Sequence, residues 1–221
     1  MKTVDDTLEH VYGRRFSAVE EQAKHGIWRE IARYLQRYVP EQGSVLDVAC
    51  DRGEFISNIR AAERWATDLR DVSRHLPAGV EFVQANGLEL TDVLPNDHFD
   101  AVFMSNYLEH LPSGDAVIEQ LAVARDLARP GGRVVVLQPN INLTGNRYWD
   151  FIDHKTALTE RSLVEAATIA GLRTERLVVR FLPFTTKQRL PQSPALVRLY
   201  LACPPAWRLL GKQTLYVGTR A

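Results

Sequence analysis

The chain has 221 residues, with 27 basic side chains against 27 acidic ones and two cysteines, Cys50 and Cys203. That length suits one domain with a full core, and the charge balance gives no field to draw the protein onto nucleic acid or an anionic membrane. Two distant cysteines without CxxC spacing exclude a disulfide framework and a cysteine zinc cluster, so no metal is expected. The N-terminus MKTVDDTLEH lacks an apolar signal segment, and no run approaches about 18 apolar residues. A soluble cytoplasmic protein without a transmembrane segment is therefore expected.

The polar stretch Tyr12-Gly13-Arg14-Arg15-Phe16 reads as a short helix or lid. Ile27, Ile31, Leu35 and Tyr38 then recur at helical spacing ahead of Pro40, so residues 1–40 are expected to form an N-terminal helical cap. A strand over 44–49 leads into a helix over 54–63. A second strand over 64–67 ends at Asp68, and further strands cover 80–84 and 99–105. Val117, Leu121, Ala124 and Ala128 share a helical face that Pro130-Gly131-Gly132 stops, before a strand over 133–139. Leu163, Ala166, Ala167 and Ala170 mark a helix capped by Thr159 and ended by Gly171. Strands near 173–181 and 213–219 close the chain.

Strands alternating with helices predict an α/β fold: a doubly wound, Rossmann-like, mainly parallel sheet in a single domain over 1–221. The segment 184–211 interrupts that rhythm with Lys187, Arg189, several prolines and the apolar run ALVRLYLACPPAWRLL. It reads as an insertion covering one end of the sheet. A dimer contact, giving a possible homodimer, and a lip for a lipid-linked acceptor are the other two readings. Lys187 and Arg189 would suit a phosphate or uronate, or else form solvated loop charges.

The most informative local feature is VLDVACDRGEF, residues 45–55. A buried strand gives way to a tight turn carrying Gly53, and Asp68 stands at the end of the next strand. Such a turn directs backbone N–H groups at a ligand, and an acid about 20 residues on suits the hydroxyls of a ribose. An adenosine-type cofactor is the reading these residues support. Ala49 and Asp51 stand where nucleotide-binding turns often have glycine.

The ordered set VLDVACDRGEF, WATD, VQANG, FDAVFMSNYLEHLP and ARPGGRVVVLQP resembles the class I S-adenosylmethionine-dependent methyltransferases. The segments NRYWDFIDHKTALTERSLVEAA, RFLPFTTKQRLP and LLGKQTLYV resemble a narrower bacterial group associated with polysaccharide and glycoconjugate biosynthesis. The resemblance implies a seven-stranded mixed sheet with an antiparallel last strand, and S-adenosylmethionine as cofactor, with S-adenosylhomocysteine as product. It implies Asp47 near the methionine ammonium, Ala49 and Gly53 in the turn, Asp68 and Leu69 at the ribose, Asn86 and Gly87 beside the adenine, and Ser105 completing the contacts. Arg14, Arg15 or Arg52 could offset the charge of Asp51.

Methyl transfer to oxygen needs alignment and a base. His154 is the preferred base, with Asp150 four residues earlier or the adjacent Asp153 orienting it; His110 is the second choice. Glu109 is expected to anchor backbone N–H groups. Tyr148 and Trp149 could stack on a sugar or wall the pocket. The expected activity is O-methylation of a sugar or glycoconjugate-related small molecule. Ala49 and Asp51 motivate an alternative, a weakly catalytic or non-catalytic methyltransferase-like binding protein. A nicotinamide-dependent reductase is a further one.

Overall fold

The computed structural model describes residues 18–184 and 193–221, with side chains from residue 24 onward. Tyr12 to Phe16, including Arg14 and Arg15, and also Lys187 and Arg189, lie outside the described residues. The chain runs α1 (Ala18–Leu35), β1 (Ser44–Val48), β2 (Glu63–Asp68), β3 (Val80–Gln84), β4 (Phe99–Ser105), α2 (Gly114–Leu127) and β5 (Ala128–Pro139). It continues through α3 (Glu160–Ile169), β6 (Leu172–Leu182), α4 (Pro194–Leu201) and α5 (Pro204–Leu210) to β7 (Gln213–Arg220). The seven strands form one sheet in the order β3-β2-β1-β4-β5-β7-β6, and β7 runs antiparallel to both its neighbours. This is the expected doubly wound, Rossmann-like mixed sheet.

β1, SVLDV, is buried at every position, as a central strand covered on both faces must be. Alternate side chains feed two cores. Leu46, Val48, Val102, Met104, Val134 and Val136 meet Leu121 of α2 and Leu163 of α3. Val45, Ala101, Phe103 and Val135 meet Ile27, Ile31 and Leu35 of α1, with Leu201 and Trp207 of α4 and α5. The insertion thus packs on the α1 face, near the β6 edge, where Arg198 pairs with the buried Glu30 of α1 at 2.8 and 2.9 Å. Leu196, Leu199, Leu209 and Leu210 remain exposed on its outer side. Among the described residues, no helix is long and apolar enough to cross a membrane.

Helix ends follow the local chemistry. Ser113 caps α2 by accepting from Ala116 N, and Thr159 and Ser162 close a reciprocal capping box on α3. Two expected boundaries need correction. Pro130-Gly131-Gly132 belong to β5, which starts at Ala128, directly after α2. The β4–β5 register shifts between Phe99 and Ala101. A Cβ at Gly132 would come within 2.8 Å of the Phe99 carbonyl, so glycine admits this irregular pairing.

The helix expected over 54–63 is replaced by a run of turns. Gln36, just after α1, clamps the Arg60 backbone from both sides: its Oε1 accepts from Arg60 N at 3.0 Å and its Nε2 donates to Arg60 O at 2.8 Å. The Asn58 amide meanwhile donates to the Glu54 carbonyl at 2.7 Å, the acceptor a helical ladder would need. Phe55, Ile56 and Ile59 still reach the α1-side core, so the segment buries its apolar residues without a helix.

Candidate active site

Strand register brings the predicted cofactor residues to one edge. Val48 pairs with Thr67 of β2 and Met104 of β4, and Ser105 pairs with Leu137 of β5. The turn 49–53, Asp68 and Ser105 therefore line the carboxyl ends of neighbouring parallel strands, where open α/β sheets bind ligands.

The turn is left-handed at three of five positions, with φ of 54° at Ala49, 51° at Asp51 and 72° at Gly53. Ala49 and Asp51 thus hold backbone that glycine adopts without strain. The Asp51 N–H donates to Asp68 Oδ2 at 3.0 Å, and a Cβ on Gly53 would strike Leu76 at 2.3 Å. Asp47 is buried behind the turn and takes a hydrogen bond from the Ile56 backbone. Burial holds its carboxyl well above the ordinary range, and the neighbouring acids Glu54, Asp68 and Asp51 push the same way.

Asp68 is 8% exposed and fully engaged. Its Oδ1 accepts from the Arg70 N–H and Nε, each at 3.0 Å, while Arg70 Nη2 also reaches Asp51 Oδ1 at 3.0 Å. Lys24 of α1 pairs with both Asp51 and Glu54. Burial raises the Asp51 carboxyl, but Lys24 and Arg70, with a smaller contribution from Arg52 as the sequence suggested, outweigh that and hold it below the usual value. Sequence reasoning named neither Lys24 nor Arg70. Arg70 sits two residues from Asp68, but nothing in the motif says that it folds back.

Around this edge, Leu69 is exposed and Asn86 caps the turn Gly87–Glu89 by accepting from Leu88 N at 3.2 Å. Gly87 makes room for Tyr107, whose hydroxyl would lie 2.2 Å from an added Cβ. Ser105 Oγ accepts from Asn106 Nδ2 at 2.9 Å. Cys50 is buried, and burial beside Asp47 and Asp68 drives its thiol far up, which leaves it unsuited to nucleophilic work.

The second group of predicted residues lies on the loops after β4 and β5, and main-chain bonds stitch these loops together. The Glu109 carbonyl accepts from Lys155 N at 2.8 Å and Thr156 N at 3.0 Å. Thr156 Oγ1 donates to the Leu111 carbonyl at 2.7 Å, and the Tyr148 hydroxyl donates to the Thr156 carbonyl at 2.6 Å. This brings the His110 and His154 rings to a centroid distance of 5.2 Å. His110 Nδ1 lies 3.0 Å from the Asp153 carbonyl, which can only accept. His110 therefore carries a proton on Nδ1, and its neutral form presents a lone pair at Nε2. His154 stacks on Phe151, and its Nε2 lies 4.0 Å from Glu109 Oε1. Burial pushes the Glu109 carboxyl up to about 7. Asp150 ends a 3-10 segment in solvent, and the turn over 151–153 breaks the helical register that would carry it to His154. Asp153 and Glu109 are the acids at the histidines.

The Methyltransferase domain family matches residues 19–177. The chain belongs to that family. Among solved structures, it resembles a SAM-dependent methyltransferase from Archaeoglobus fulgidus at 19% identity and a TM-score of 0.62, covering 87% of this chain and 94% of that one. A SAM-dependent methyltransferase from Mesorhizobium loti aligns at 18% identity and a TM-score of 0.60, over 84% of this chain and 95% of the other. One from Thermotoga maritima, described as a possible histamine N-methyltransferase, aligns at 12% identity and a TM-score of 0.62, over 96% and 95%. These likenesses establish the fold. A curated relative, a probable non-canonical nonribosomal peptide synthetase, CymA, from Salinispora arenicola, is 32% identical over 105 residues; the match covers 43% of this chain and 1% of that protein.

Proposed function

We propose that the protein transfers a methyl group from S-adenosylmethionine to an oxygen of a sugar or glycoconjugate-related small molecule. When bound, this cofactor supplies a methyl group on a sulfonium, already activated for displacement. The residues at the sheet edge fit it. The turn 49–53 keeps its left-handed backbone at Ala49, Asp51 and Gly53. Main-chain N–H groups of Asp51 and Arg70 fix the Asp68 carboxylate. Its other acceptor positions face the Arg70 guanidinium, which two ribose hydroxyls can replace.

The observation that carries the oxygen reading is the 3.0 Å contact between His110 Nδ1 and the Asp153 carbonyl, which calls for a proton on Nδ1. It leaves Nε2 to accept the proton of an acceptor hydroxyl. His154 was the first choice from sequence, but its side chain is 6% exposed against 29% for His110, so we assign the base to His110. The half-exposed Trp149, stacked edge-on against Tyr148, offers a flat apolar face of the kind that packs on sugar rings. The sequence likeness to glycoconjugate methyltransferases supports the same acceptor class.

The test is incubation with methyl-labelled S-adenosylmethionine and a panel of free and nucleotide-activated sugars. Label in a base-stable methyl ether is expected; label on nitrogen would contradict the oxygen reading. His110→Ala should lower turnover by about 10²–10⁴ while S-adenosylhomocysteine still binds. Near-normal turnover would remove His110 from the chemistry.

A further inference from the structure

We infer that Glu109, His110 and His154 form a binding site for a divalent transition-metal ion. Each offers one ligand atom, and these atoms lie within 4.8 Å of one another. A shared ion about 2.1 Å from each would bring neighbouring ligand atoms to about 3 Å. His154 Nε2 and Glu109 Oε1 are already 4.0 Å apart, so the cluster needs to tighten by at most about 2 Å.

Three observations distinguish this cluster from a chance grouping. Glu109 is 1% exposed, yet its Oε2 is buried without a hydrogen-bond partner among the described residues. Gln138, buried beside it, lowers the Glu109 carboxyl as a side-chain hydrogen-bond donor, although no bond of full geometry forms. Buried polar atoms are rarely left so, and an ion with its waters is one of the few things that satisfies several at once. The second observation is the His110 Nδ1 contact with the Asp153 carbonyl, the outer hydrogen bond that metal-bound histidines typically make and one that leaves Nε2 as the ligand atom. Finally, the backbone bonds from Lys155 and Thr156 to the Glu109 carbonyl hold the two ligand loops together before any ion arrives.

Two imidazoles and one carboxylate favour manganese, iron, cobalt, nickel or zinc over magnesium and calcium. Three protein ligands leave positions for water and for an acceptor oxygen. This role rests on the methyltransferase reading above. A bound ion would occupy His110 Nε2 and would supply Lewis-acid polarisation of the acceptor hydroxyl, whose proton would then pass to a water; His110 is the base only in the metal-free protein. Metal binding itself does not depend on that reading.

The test is a titration of the chelator-treated full chain with Co²⁺ alone, followed by visible absorption and calorimetry, with S-adenosylhomocysteine titrated in parallel. One equivalent of Co²⁺ should bind. Glu109→Gln and His154→Gln should each weaken it beyond the roughly 10–100-fold that loss of an outer hydrogen bond costs. Thermal melts of both variants establish that they are folded, and a Co²⁺-induced rise in melting temperature should be confined to the wild type. Co²⁺ uptake that is absent, or that folded variants share, overturns the site. If S-adenosylhomocysteine then still binds, the methyltransferase reading survives. Stoichiometric Co²⁺ lost in the variants, with no S-adenosylhomocysteine binding, supports the metal site and overturns the cofactor reading instead.

Discussion

Ala49 and Asp51 bend the cofactor turn through left-handed backbone, at φ 54° and 51°. A side chain there costs on the order of 1 kcal/mol against glycine. Asp51 recovers part of this through Lys24 and Arg70, whereas Ala49 has no polar side chain with which to do so. Ala49→Gly should therefore stabilise the protein by about 1 kcal/mol in denaturant unfolding, and a loss of stability would mean that the backbone there is not left-handed. Asp47 makes the second prediction at this scale. Burial raises its carboxyl well above the ordinary aspartate value. The stability it contributes is full below the unfolded value and is lost as pH rises through the raised one. Asp47→Asn stays neutral, so its stability relative to the wild type should improve as pH rises above about 4 and level off above the raised value. A pH-independent difference would show that Asp47 ionises normally.

At the scale of elements, the β1–β2 connection shows a side chain from one element deciding the form of another. Residues 54–63 carry apolar spacing that suits a helix, but Gln36 binds both backbone groups of Arg60 and Asn58 takes the Glu54 carbonyl. Local pattern cannot anticipate a clamp from 24 residues away. Gln36→Ala should cost about 1 kcal/mol and speed amide exchange at Arg60, with the sheet strands unaffected. Unchanged exchange there would show that the clamp does not hold the segment. Where capping was local, sequence sufficed: Thr159 starts α3, and Gly171, at φ 84°, follows its end. The Pro-Gly-Gly stop is an intermediate case, since Leu127 does end α2 and the strand resumes at once through the irregularity that Gly132 permits.

Across the whole molecule, the alternation of strands and helices and the carboxyl-edge position of Asp68, Ser105, His110 and His154 were legible from hydrophobic period and strand ends. The seven-stranded mixed sheet with an antiparallel strand, by contrast, was implied by the family resemblance alone. What the sequence left hidden are contacts made in space: Arg70 folded back onto Asp68, Lys24 reaching Asp51 from α1, and Glu109 turned to the two histidines. Those contacts define the state that a cofactor meets. Arg70 occupies the Asp68 carboxylate, and under the proposed ribose contact cofactor binding would exchange that ion pair for two hydroxyls. The most direct test is calorimetric titration of S-adenosylhomocysteine into the wild type, Asp68→Ala and Arg70→Gln. Asp68→Ala should lose roughly 1.5–3 kcal/mol of binding free energy, the scale of charged hydrogen bonds, while Arg70→Gln binds at least as tightly as the wild type. Unchanged affinity in Asp68→Ala, or a loss confined to Arg70→Gln, would contradict the ribose grip on which this account of the site depends.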